Sequence, residues 1–75
     1  MFEQVKNLIV EQVGADASKI TPDAKLVEDL GIDSMSLIEM ITECEDRYGI
    51  VIADYDVKDL LTVGDIVKYL EEKTA

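Results

Sequence analysis

Apolar residues at the start of the chain recur at helical spacing, with polar residues between them. Gly14 follows directly, and glycine is the usual residue just beyond a helix end. The pattern therefore predicts a first helix from Phe2 to about Val13. Its apolar face consists of Phe2, Val5, Leu8, Ile9 and Val13.

Residues 15–33 show no sustained periodicity and predict a long first loop. The triplet Thr21-Pro22-Asp23 marks a turn, because proline fixes its own backbone and disfavours helix in the residue before it. Irregular segments of this length are uncommon in small domains unless they are anchored or functional. The expected anchors are Ile20, Leu26, Val27 and Leu30.

A second helix is predicted from the residue after Asp33 to about Tyr48. Asp33 is the N-cap candidate, since its carboxylate can accept from first-turn N–H groups, and Gly49 follows the expected end. At about 100° per residue, one stripe is assigned to the core, with Met40 at its edge. The stripe consists of Leu37, Ile41, Cys44 and Tyr48.

A second face of this helix mixes acids with apolar residues, and Ser34 lies between the two faces. A fully solvated surface has no need of methionine or isoleucine, although isolated exposed apolar side chains are common. The residues of this second face are Met35, Ile38, Glu39, Thr42 and Asp46.

The last third of the chain predicts a short extended segment, one short helix within residues 54–61 and a final helix. Thr62 and Asp65 form a capping box for that final helix. Its buried stripe is expected at Val63, Ile66, Val67 and Leu70. Together the elements predict one all-α domain spanning residues 1–75, a small four-helix bundle with three longer helices, one short helix and a long first loop.

The composition of the chain indicates what kind of core and what kind of partners to expect. Hydrophobic residues make up 48% of the chain and aromatic residues only 5%, so the core is expected to be aliphatic. Seventeen acidic against seven basic residues give a formal charge of -10. Nucleic acid and anionic membranes are therefore unfavourable partners, whereas proteins with basic patches are favoured.

A single cysteine, Cys44, excludes an internal disulfide, and its place on the core stripe indicates a packing role. No charged and apolar leader begins the chain, and no apolar run is long enough to cross a bilayer. These features predict a reducing cytosol or organelle matrix, and of these the cytoplasm is the predicted location.

Catalysis by the chain itself is disfavoured. The sequence contains no histidine, and nothing in the spacing couples a lysine to Ser34 as a base. Acids are so abundant that close carboxylate pairs carry little information. Residues 54–65 resemble a calcium loop only superficially, because Lys58 and Asp59 replace its spacer and its turn glycine, and Asp65 stands where glutamate is needed. No metal site is predicted.

Ser34 has two interpretations. Serine is favoured at helix starts for capping alone. Alternatively, Gly31 permits a tight turn before a helix whose first N–H groups and positive dipole end suit a phosphate ester. In that case the hydroxyl is the substrate of another enzyme.

The motifs around this serine resemble the acyl carrier proteins and the related carrier domains of polyketide and peptide synthesis. Leu30 to Met35 is similar to the family's "LGxDSL", and "KITPDAKLVEDLGIDS" resembles its first loop. "EDRYGIVI" is similar to its Glu-Glu-x-Phe-x-Ile-x-Ile, Glu39 and Met40 stand at its Glu-Leu, and "TVGDIVKYL" resembles its last helix. The similarity covers nearly the whole chain.

The resemblance implies that a phosphopantetheinyl transferase attaches phosphopantetheine, donated by coenzyme A, to Ser34. The arm then holds acyl chains as thioesters for synthases, reductases and transferases, while the protein itself is a monomer without enzymatic activity. The resemblance also implies contacts with partner proteins at acidic Asp33, Glu39 and Asp46 and at apolar Met35 and Ile38.

Four residues depart from the family pattern: Met35, Ser36, Leu37 and Arg47. Fatty acid synthesis is the leading pathway, and these departures motivate a discrete carrier of a polyketide, peptide or specialised lipid pathway as the alternative. An unmodified acidic module that binds basic proteins is the alternative from another class.

Overall fold

A computed structural model describes residues 1–74 and has the predicted all-α architecture, with no strand in that range. Four α-helices follow in chain order, and a single 3-10 turn, Ala17–Lys19, lies in the first loop. The helices are α1 (Phe2–Val13), α2 (Ser34–Tyr48), α3 (Asp54–Val57) and α4 (Val63–Thr74).

The ends of the long helices lie where the sequence predicts them. Gly14 adopts φ 69° and donates its N–H to the Val10 carbonyl at 3.0 Å, which closes α1. Gly49, with φ 63°, ends α2 in the same left-handed conformation, which glycine adopts without steric cost. At the start of α4, Thr62 Oγ1 accepts from the Asp65 N–H at 3.1 Å, while an Asp65 carboxylate oxygen accepts from the Thr62 N–H at 3.0 Å.

The core lies where α1 packs against both α2 and α4, and it is aliphatic as predicted. None of the buried side chains in residues 1–74 is aromatic. Met40, which the sequence places at the edge of the α2 core stripe, is fully buried. It lies near the middle of α2, whereas Leu37 and Tyr48, near the two ends, are only half-buried because less of the bundle covers helix ends.

The long loop is held to the start of α4 by backbone hydrogen bonds. The Leu26 N–H donates to the Leu61 carbonyl at 3.0 Å, and the Val63 N–H donates to the Ala24 carbonyl at 3.0 Å. One residue further on, the Gly64 N–H donates to the Pro22 carbonyl at 2.9 Å. The last two bonds satisfy N–H groups at the start of α4, and all three fix the loop in place.

The anchoring side chains of the loop differ in part from the prediction. Ile20 and Leu26 are buried as expected, and Leu30 is half-buried. Val27 is 60% exposed, so its assignment as an anchor is wrong. Val27 lies in the turn of residues 26–30, which is closed by bonds from the Asp29 and Leu30 N–H groups to the Lys25 carbonyl, and its side chain is on the solvent side of that turn. The sequence analysis missed Ile32, which is 1% exposed.

Candidate functional site

Ser34 is exposed at the beginning of α2, directly after a buried residue. Ile32 packs in the core and donates its N–H to the Leu26 carbonyl at 3.0 Å. Before it, Gly31 adopts φ 66° and donates its N–H to the Val27 carbonyl at 3.1 Å. The left-handed turn and the buried isoleucine together bring the chain to the surface at the serine.

Asp33 is the N-cap of α2, as predicted. Its Oδ1 atom accepts from the Ser36 N–H at 2.7 Å, and its carbonyl accepts from the Leu37 N–H at 2.9 Å. Hydrogen bonding to Ser36, through the backbone first and then the hydroxyl, holds the pKa of the Asp33 carboxyl below its usual value. The carboxylate is therefore ionised at neutral pH and is a weak base.

The start of α2 also offers an unpaired donor beside the serine. Within residues 1–74, no atom accepts a hydrogen bond from the backbone N–H of Ser34. Free N–H groups and the positive end of the helix dipole favour an anion at this position. An exposed hydroxyl next to such a donor fits a phosphate ester, so the residues present suit a phosphate-linked prosthetic group.

The predicted contact residues on α2 form one exposed face. They fall within an arc of about 100° around the helix axis. Met35 is 72% exposed and Ile38 is 62% exposed, which is high for apolar side chains of this size. The other exposed members of this face are Glu39, Thr42 and Asp46. Asp33 adjoins the face at its beginning, but its carboxylate is engaged in the cap.

Two large apolar side chains that closely follow α2 in the sequence are also exposed, and the sequence analysis did not identify them as site residues. Val51 is 80% exposed and Tyr55, on α3, is 73% exposed. In the extended segment of residues 50–52, side chains alternate between the two sides of the chain. This alternation could have predicted the exposure of Val51, because its neighbour Ile52 is buried. Tyr55 lies in a helix too short to show a period.

Two cavities flank α3. The first has a volume of about 530 Å³ and lies between the first loop, α2 and the start of α4; its apolar lining consists of Leu26, Val27, Leu37, Val57, Leu60 and Leu61. The second, about 430 Å³, lies between α2 and residues 51–57; its apolar lining includes Ile38, Ile41, Val51, Ile52 and Val57. Both volumes fall in the range of small-molecule sites, roughly 300–1,000 Å³.

Arg47, one of the departures from the family pattern, joins two helices. Its guanidinium contacts Glu43 on α2 at 2.8 Å and Glu11 on α1 at 2.6 Å. It therefore does not stand as a free positive charge within the acidic sequence of α2. The contact with Glu11 spans 36 positions in sequence, so no local sequence pattern predicts it.

Residues 1–74 contain neither a cluster of metal ligands nor a helix that could span a membrane. No group of three or more potential ligands lies close enough together to hold a metal ion in this part of the chain. None of the helices described is both long and apolar enough to cross a membrane.

The structure thus presents an exposed serine at a helix start, in a small acidic bundle. The family described as "Phosphopantetheine attachment site" matches residues 3–70 of this chain. The chain belongs to the acyl carrier protein family of phosphopantetheine-dependent carriers. It is a carrier with a covalently bound phosphopantetheine group, not an enzyme.

Two curated relatives support this assignment over almost the whole chain. The acyl carrier protein of Thermotoga maritima is 42% identical over 73 residues, which cover 97% of this chain and 90% of the relative. The acyl carrier protein of Helicobacter pylori (strain G27) is 40% identical over 72 residues, which cover 96% of this chain and 92% of the relative.

Proposed function

We propose that Ser34 is the residue to which phosphopantetheine is attached. The single observation that supports this most strongly is the exposure of Ser34 at the first position of α2, beside an unpaired backbone N–H. Ser36, the other serine of the motif, is half-buried and its N–H is already bonded to Asp33. Of the two hydroxyls, that of Ser34 is the accessible one.

The base that takes the Ser34 proton belongs to the transferase. This chain has no histidine, and the nearest acid in sequence, Asp33, has a lowered pKa and is occupied in the cap. Asp33 instead fixes the first turn of α2 and so the position of the hydroxyl. The N–H groups of that turn then favour the negative charge of the phosphate diester. When attached, the arm supplies a thiol on which acyl groups are held as thioesters.

The exposed face of α2 is the proposed docking surface for the transferase and for acyl-chain synthases, reductases and transferases. Glu39, Asp46 and the cap residue Asp33 supply negative charge toward basic patches, and Met35 and Ile38 supply apolar contact. The formal charge of -10 favours encounter with such patches. A single pair of exposed charges contributes little, so the face acts as a group.

The proposed role is delivery of growing acyl chains to the enzymes of fatty acid synthesis, by a monomeric single domain in the cytoplasm. The names of the two relatives support an acyl cargo. The buried, unpaired Cys44 is consistent with a reducing compartment. A polyketide, peptide or specialised lipid pathway stays the alternative because of the four departures, and family membership argues against an unmodified interaction module.

The attachment site is tested by intact mass after incubation with coenzyme A and a broad-specificity phosphopantetheinyl transferase. We expect one added arm on the wild type and on the Ser36→Ala variant, and none on Ser34→Ala. The Ser36→Ala control shares the motif and the type of change. Loss of the arm in Ser36→Ala alone would move the site to Ser36, and modification of Ser34→Ala would refute the proposal.

The pathway is tested by charging the modified protein with different acyl groups and measuring which synthases accept it.

The Glu39→Lys variant tests the docking face. Glu72→Lys, on the exposed side of α4, is the control with the same change of charge. We expect Glu39→Lys to lower kcat/KM with a synthase by several-fold and Glu72→Lys to change it little. Equal losses in both variants would indicate a general effect of net charge.

A further inference from the structure

Helix α3 is the least secured helix of the bundle. It contains only four residues, and its N-cap, Ala53, has no side chain that can bond to the first turn. Asp54 and Tyr55 are exposed, while Val57 is half-buried against the core. A helix this short has too few internal hydrogen bonds to be stable alone, so its position depends on contacts with the rest of the molecule.

The chain on either side of α3 is fixed more firmly. Before it, Ile52 is buried and donates its N–H to a carboxylate oxygen of Glu45 on α2 at 2.8 Å. After it, Leu60 is buried, with 5% of its surface exposed. Between these two buried residues lies a segment, residues 53–59, in which no residue is buried.

One side-chain hydrogen bond joins this segment to α4. The Tyr69 hydroxyl donates to a carboxylate oxygen of Asp56 at 2.8 Å. Tyr69 is half-buried, and the Lys73 ammonium lies 5.4 Å from the centre of its ring. This cation–π contact within α4 also helps to hold the tyrosine ring in position. Hydrogen bonds to a charged acceptor are shorter and stronger than those between neutral groups.

The same segment separates the two cavities beside α2. Asp54 and Val57 line both the cavity of about 530 Å³ and the cavity of about 430 Å³. If α3 moves away from the bundle, the wall between the two spaces is removed and their apolar linings become continuous. The position of α3 therefore determines how much apolar volume is accessible.

We propose that the Tyr69–Asp56 hydrogen bond is a latch that holds α3 between the two cavities and limits how readily an apolar molecule enters them. Tyr69 and Asp56 are positioning residues, since neither lines either cavity. That this molecule is an acyl chain rests on the proposed function, whereas the existence of the latch does not depend on it. Opening requires only that this bond and the Val57 contact break while Ile52 and Leu60 stay buried.

Hydrogen exchange of the unmodified protein tests the latch directly. In Tyr69→Phe the ring is kept and only the hydroxyl is lost, so we expect the amides of residues 56–60 to exchange about 3- to 10-fold faster, the factor for one hydrogen bond. Tyr55→Phe is the matched control, because it removes a tyrosine hydroxyl on α3 that is exposed and makes no hydrogen bond within residues 1–74. It should leave these rates unchanged.

The pattern of the change separates a latch from a general loss of stability. Buried amides of α1, such as those of Leu8 and Ile9, should keep their rates in Tyr69→Phe. Unchanged rates in residues 56–60, or an equal increase in α1, would overturn the proposal. Asp56→Ala should reproduce the effect of Tyr69→Phe, and the double variant should add nothing further, because both changes remove one contact.

Uptake is measured with the neutral dye Nile red and the unmodified protein. We expect Tyr69→Phe to bind the dye at least 3-fold more tightly than the wild type, and Tyr55→Phe to match the wild type. Equal binding by all three proteins would refute the link between the latch and the cavities. Because neither measurement uses the prosthetic arm, faster exchange in a protein that fails to be modified would refute the proposed attachment site but not the latch.

Discussion

The Asp33 carboxylate accepts the Ser36 N–H at 2.7 Å, and Ser34 lies in the turn that this bond closes. The proposed attachment residue is thus held between a cap acceptor and its donor, although its own side chain is free of the cap. This relationship explains why an aspartate precedes the serine: it orders the first turn without competing for the serine hydroxyl.

Replacing Asp33 with alanine should weaken the start of α2. Loss of an N-cap acceptor leaves a first-turn N–H without its partner, and we expect the melting temperature to fall by roughly 4–8 °C in a domain of this size. Asp33→Asn is the control, because its side-chain oxygen still accepts while the charge is gone. Thermal unfolding followed by circular dichroism measures both; an unchanged Asp33→Ala variant would show that the cap is dispensable.

The same residue predicts a dependence on pH. Its pKa is lower in the folded protein than the ordinary value of 3.8, so the unfolded chain binds the proton more readily. The stabilisation is therefore present above about pH 4 and is lost as pH falls through the folded pKa. NMR titration of the carboxyl group should give a value below 3.8, and the stability difference between wild type and Asp33→Asn should shrink in acid.

Gly64→Ala should destabilise the contact between the first loop and α4. A Cβ at this position would lie 2.8 Å from the Pro22 carbonyl oxygen, which is backbone and cannot rotate away. Strain of this kind costs about 1–3 kcal/mol, and the better helix propensity of alanine offsets up to about 1 kcal/mol. Urea unfolding should therefore show a net loss of stability, whereas Lys68→Ala on the same helix should change it by less than about 0.5 kcal/mol.

A salt titration tests the Arg47 contacts between α1 and α2. Arg47→Met removes the ion pairs with Glu11 and Glu43, and we expect lower stability at low salt, with the loss shrinking in about 1 M salt because exposed pairs are screened. Lys68→Met changes the net charge equally but breaks no ion pair within residues 1–74. If both variants respond alike, the pairs contribute nothing beyond net charge.

Cys44 should be unreactive in the folded protein. Burial raises the pKa of its thiol to about 11, an effect larger than the opposing attraction of Arg47. At pH 8 the thiolate is therefore scarce, and we expect a disulfide reagent to react at least 100-fold more slowly with the folded than with the urea-unfolded protein. The Ser34→Ala variant is the appropriate material, since the proposed arm would add a second thiol; rapid reaction when folded would contradict the burial of Cys44.

Ionisation of the Cys44 thiol should also make the stability of the folded protein depend on pH. Because the folded pKa lies above the ordinary value of 9.0, the protonated thiol is favoured in the folded state. The contribution of Cys44 is present below about pH 9 and is lost as pH rises through 11. In Cys44→Ala this part of the alkaline decline should be absent.

Features that depend on neighbouring residues were predictable from the amino-acid sequence. The ends of α1 and α2, the cap at Asp33 and the capping box of Thr62 and Asp65 involve bonds between residues at most four apart. Helical periodicity likewise separated the exposed face of α2 from its core stripe, because each side chain's direction follows from its position in the turn.

The packing of the whole chain set which residues meet across the bundle. It buried Met40 and Ile32, left Val27 in solvent, and paired Arg47 with Glu11. It also placed Tyr69 beside Asp56 and left two cavities around α3. Hydrogen bonds within a turn are encoded by adjacent residues, whereas contacts between distant segments depend on how whole helices and the long loop pack together.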